Sequence, residues 1–207
     1  MSKISITPNP SGTGVFTISS PATSTNRTLV LPDEAGTVLT SASTANFPAG
    51  SVLQVVSYLT ATQGSQTITT SDSIVNSITK VITPLGANSK FLVTVRWFGE
   101  ILDPHDVPFN IHMDGVRVNI NGQGRGYGLV MPARSYDQEE NNSSTPETVN
   151  MSTLVSTSSV VGTAITFSLV ADGDTSKTLW NNRCFLAPNG ASIEAGTSEM
   201  IITEIGG

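Results

Sequence analysis

The residue types best able to do chemistry cluster in "DPHDVPFNIHMDG", residues 103–115. His105 stands between Asp103 and Asp106, and His112 falls two residues before Asp114. Two chemistries use such groups. One histidine repeated around a threefold axis offers three imidazoles to an octahedral metal ion. Two carboxylates roughly 5–9 Å apart make a glycosidase pair. Neither has a supporting spacing here, because no H-x-H or H-x-x-E pattern accompanies the histidines. His105 therefore reads as a loop residue and His112 as a strand residue. No metal, cofactor or catalytic residue is expected, so the chain reads as a non-enzyme.

Other candidates weaken in the same way. "NINGQGRGYGL" carries Gly122, Gly124, Gly126 and Gly128. A phosphate loop would follow a strand and open a helix, and no helical pattern follows. Glycine at every second position either leaves one strand face bare for a neighbour's close approach or makes a flexible loop. Cys184, the single cysteine, lies near Trp180 and Phe185 without an evident histidine partner, and reads as a small core residue. Asn142-Ser143-Ser144 is a glycosylation pattern with no secretory signal to make it relevant.

The elements that must position these residues are strands. Serine and threonine make up a quarter of the 207 residues, charged residues only 13%. Thr, Val and Ile with frequent Gly and Pro favour strands and turns, and no long window shows an apolar period of 3.6. The predicted class is all-β. With a net charge of −6 and scattered Lys and Arg, the chain lacks the clustered cations of a nucleic-acid groove. No apolar run approaches the ~18 residues of a membrane-spanning helix, and "MSKISITPNP" has no signal-peptide core. Neither nucleic-acid binding nor membrane insertion is expected, and synthesis in a cytoplasm is.

Residues 51–207 contain the stronger strands. In "SKFLVTVRWFGEIL", Phe91, Val93, Val95 and Trp97 share one face, with Leu92, Thr94, Arg96 and Phe98 on the other. In "PFNIHMDGVRVNING", Asp114-Gly115 signals a type I′ hairpin between alternating segments. "SEMIITEIGG" puts Met200, Ile202 and Glu204 on one side. Strands at such intervals predict an antiparallel β-sandwich or jelly roll. Residues 132–150 read as an exposed polar loop, with Tyr136, Asp137, Glu139, Glu140 and Glu147.

Residues 1–43 differ, and 44–50, "TANFPAG", look like a linker between the regions. The segment "TNRTLVLPDEAGTVLTSAS" begins as a strand, is interrupted by Pro32 to Gly36, and resumes at Thr37. Its apolar residues, with Ile4, Ile6, Val15, Phe16 and Ile18 upstream, are too few to offset the entropy of ordering the whole stretch. Residues 1–43 should not fold alone.

That segment, above all Asn26 to Asp33 and Gly36 to Val38, resembles a module of bacteriophage tail fibres and other virion appendages. The later "FPAGSVLQVVS", "TPLGANSKFLVTV", "FNIHMDGVRV" and "GTSEMIITEI" resemble the C-terminal domain of such fibres. The resemblance implies a homotrimer on the virion surface, attached to other phage structural proteins of tail or capsid through residues 1–43. Three intertwined chains would then share a small prism core of Leu29, Leu31, Val38 and Leu39, with Pro32 and Gly36 setting a corner. The C-terminal jelly roll would bind a host polysaccharide or outer-membrane protein. Contact would run through the loops holding Asp103, His105, Tyr136, Asp137, Glu139 and Glu140. No long shaft separates the two regions, so a capsid decoration protein or head fibre is the alternative.

Overall fold

The computed structural model describes residues 7–19, 21–30, 33, 35–36, 47–101, 106–118, 128–130, 146–185 and 194–207. The chain divides into two units, 1–37 and 38–207. The second holds ten described strands: β1 (Val52–Thr60), β2 (Gly64–Ile68), β3 (Ser73–Ile82), β4 (Lys90–Ile101), β5 (Phe109–Met113), β6 (Val116–Arg117), β7 (Glu147–Ser156), β8 (Ile165–Ala171), β9 (Lys177–Asn181) and β10 (Ser198–Ile205).

The pairing is nested and antiparallel throughout. β1 pairs β10, β2 pairs β9, β3 pairs β8, β4 pairs β7 and β5 pairs β6. One long hairpin rolled on itself yields this pattern, which is the jelly roll. Rolling gives two sheets: β1-β10-β4 with β7 beyond β4 and β9-β2 continuing from the far end of β4, and β3-β8-β5-β6. The expected all-β sandwich is the observed fold.

Side-chain alternation explains why the layers close. On β4, Phe91, Val93, Val95, Trp97 and Ile101 face inward, while Leu92 and Thr94 are exposed. Across the interlayer space Phe91 meets Phe167 at 5.7 Å between ring centroids, and Trp97 meets Phe109 at 5.2 Å. Within β3, Asn76 and Ser77 take positive φ values of 46° and 54°, and the β8 register shifts between Ile74 and Thr79. This bulge lets both Val75 and Ile78 point into the core, although they stand three positions apart. The β5–β6 turn has φ of 50° at Asp114 and 80° at Gly115, as a type I′ turn requires.

One sequence expectation changes in this unit. Residues 147–150, read as loop, open β7, whose inward positions are Glu147, Val149, Met151, Thr153 and Val155. The Glu147 carboxylate accepts the Ile101 N–H at 2.9 Å, which allows an acid on the buried side of the strand. Just before β1, the Gly50 N–H donates to the Gly206 carbonyl at 2.9 Å.

The first unit contrasts with this. Its described residues contain one turn, closed by Gly12 N–H to the Asn9 carbonyl at 3.1 Å, and no strand. Val15, Phe16, Ile18, Leu29 and Val30 are 77–91% exposed. The strand read at the start of residues 25–43 is thus not realised by one chain among the described residues. A ladder needs a second strand for its N–H and C=O groups, and none of the described residues supplies one.

Candidate functional site

A cluster of charged side chains lies at one end of the β3-β8-β5-β6 sheet. The Asp114-Gly115 turn sets His112 opposite Arg117, and Ser168 of β8 sits on the other side of His112. Ser73 pairs with Ala171, which brings Asp72 and Asp172 to the same end of the sheet. Arg117 joins them. Its Nε donates to Asp72 Oδ2 at 3.0 Å, its Nη2 donates to Asp72 Oδ1, and the same Nη2 lies 3.3 Å from Asp172 Oδ1. His112 Nε2 lies 3.1 Å from Asp72 Oδ2. Asp172 is almost wholly buried and His112 is buried.

These contacts determine what the cluster does. Burial alone would push the Asp72 carboxyl up, but the hydrogen bond and charge of Arg117, with His112 beside it, hold it below the ordinary value. Burial pushes His112 down, and the nearby Asp72 only partly offsets that. The hydrogen bonds that Arg117 donates to Asp72 raise its own value. A general acid or base working near neutrality needs a pKa moved toward neutrality; Asp72 moves away from it. The cluster is an electrostatic clamp that ties the start of β3 to the β5–β6 hairpin and the end of β8. Among the described residues, no group of three His, Cys, Asp or Glu is placed to hold a metal.

A second polar knot closes the opposite chain end. The buried Glu204 carboxylate accepts N–H bonds from Leu85 and Gly86, both at 2.9 Å, and a hydroxyl bond from Ser89 at 2.7 Å. Gln54 Nε2 donates to its other oxygen at 2.6 Å. Burial raises this carboxyl, and the four donors together hold it below the ordinary value. Replacing Glu204 by alanine strands these donors, so the variant is expected to lose about 3 kcal/mol. That loss lowers the thermal midpoint by roughly 6–12 °C for a unit of this size. A midpoint unchanged in calorimetry would show that the knot contributes nothing.

Stability against pH follows from the same groups. Between its depressed folded value and the ordinary 6.5, His112 carries more proton in the unfolded chain. Stability therefore falls as pH drops below about 6.5. Asp72 and Glu204 act at lower pH. Their contribution is complete above the ordinary values of 3.8 and 4.5, and disappears as pH falls through the lower folded values. Melting curves from pH 8 to 3 should show a two-stage decline, and His112→Gln should remove the first stage only. Persistence of that stage in the variant would assign it to another group.

The residues proposed from sequence divide as follows. Leu29 is exposed, and the space around a Cβ on Gly36 is open. Leu31, Pro32, Val38 and Leu39 lie outside the described residues, as do Asp103, His105, Tyr136, Asp137, Glu139 and Glu140. His112 is a strand residue, as read. At Gly128 a Cβ would come within 2.5 Å of Pro108 Cβ, so the close approach there is made by the chain itself. Cys184 is fully buried, and burial, with Glu100, Glu194 and Glu147 nearby, pushes its thiol up to about 12. It stays protonated and unreactive at neutral pH. Asp72, Arg117 and Asp172 were not singled out by sequence. One signal was available: His112 and Arg117 flank the hairpin turn symmetrically, which makes them cross-strand neighbours. Neither the protein-family models nor the curated protein sequences contain a match to this chain.

Proposed function

We propose that this chain is a bacteriophage virion structural protein, a homotrimeric tail fibre or short appendage. Residues 1–43 hold it to the particle and to its sister chains. The jelly roll faces the host and binds non-covalently, to a surface polysaccharide or an outer-membrane protein, through the segments around 103–108 and 132–146.

The observation that carries this reading is the contrast between the two units. One has a buried apolar core between two sheets. The other leaves Val15, Phe16, Ile18, Leu29 and Val30 in water. Apolar side chains so exposed along one stretch mark a surface for association. Sister chains and particle proteins would supply what a lone copy lacks, and the resemblance of 26–38 to appendage modules supports a virion as the assembly.

Copy number in purified virions tests the proposal. A few tens of copies confined to the tail is the expected result. Hundreds on the head would reassign the chain to capsid decoration, and absence from purified particles would end the virion reading.

A further inference from the structure

We infer that the outer face of the β1-β10-β4-β7 sheet is where a second copy of this chain packs. The inference rests on the homotrimer reading above and names its contact surface. Registers place Val55, Thr203, Leu92 and Leu154 in one row across the four strands. Val55, Leu92 and Leu154 are exposed by 57%, 37% and 48%. In the next row Ile201, Thr94 and Ser152 are neighbours, and the Thr94 and Ser152 hydroxyls bond each other at 3.2 Å. These hydroxyls satisfy one another in part, so covering them strands little hydrogen-bonding capacity.

Charge selects the occupant. The chain carries −6 overall, so two copies repel unless they meet where the excess acid is missing. Beside these rows stand Arg96 and Glu199, 3.5 Å apart, and Lys90. The face thus has no net negative charge, and its paired opposite charges can exchange partners between copies. The rim points the same way. Among the described residues β7 is the last strand on its side; it pairs β4 over ten residues without a register break, and its outward positions carry neither charge nor proline. Edge strands left open to solvent ordinarily carry such features to prevent pairing.

The test uses the full chain with Leu92→Lys and Leu154→Lys combined, and separately Thr94→Arg, a change at an exposed position that leaves the core intact. Val160→Lys with Val161→Lys, exposed apolar positions in a loop, serves as control. Mass by light scattering and sedimentation is the readout, with thermal melts to confirm folding. The wild type and the control should run as a multiple of 21.6 kDa. Both face variants should dissociate at least tenfold more readily. If the wild type is oligomeric and the face variants keep its mass, this inference fails while the trimer reading stands. If the wild type runs at 21.6 kDa at tens of micromolar, both fail. Unchanged mass with lost particle binding would give the face to a shell protein and overturn its assignment to a second copy.

Discussion

Replacing Trp97 by alanine lowers the stability of the sandwich by about 4 kcal/mol, the usual scale for a large aromatic removed from a core. The midpoint falls by roughly 8–16 °C. Trp97 is fully buried and faces Phe109 across the layers, and its indole N–H donates to Asn181 Oδ1 at 2.8 Å. It also stands where β4 changes neighbours, from β10 along residues 90–96 to β9 along 99–101. At Gly99, two residues on, an added Cβ would come within 2.4 Å of the Trp97 ring, so ring and backbone fill this junction together. Trp97→Phe keeps the aromatic contact but loses the indole donor, and should cost less than half as much. Calorimetry on both variants is the check. A drop below about 3 °C for the alanine variant would mean that the junction is held by other contacts.

Deleting residues 1–43 is the second large effect, and it separates folding from assembly. Every member of the buried core cluster lies between Ile68 and Ile202. The truncated chain should therefore melt within about 2 °C of the full one. What it loses is the stretch whose apolar side chains stand in water in a single chain, so the expected loss is incorporation into particles.

Much of the sandwich was legible in the residues. The two faces of β4, the Asp114-Gly115 hairpin and the inward Glu204 of β10 all follow from alternation and turn chemistry. β7 was not recognised, although its alternation is regular. Its buried face includes Glu147 and Thr153, so it looks polar until the Ile101 N–H that satisfies Glu147 is known. The clamp was hidden for another reason. Asp72 and Arg117 are 45 positions apart, and only the pairing of β3 and β5 with β8 brings them together. Residues 14–30 show the converse. Their strand patterns are present in the sequence, but a pattern forms a ladder only when a neighbouring strand is supplied.

Particle incorporation of the truncated chain tests the account most directly. Virions assembled without the native protein would be supplied with full-length chain or with chain lacking residues 1–43, then purified by density and quantified. The account predicts that the full chain co-purifies, while the truncated chain stays in the soluble fraction as a folded sandwich. Equal incorporation of the two would contradict it, because attachment would then reside in the jelly roll and not in residues 1–43.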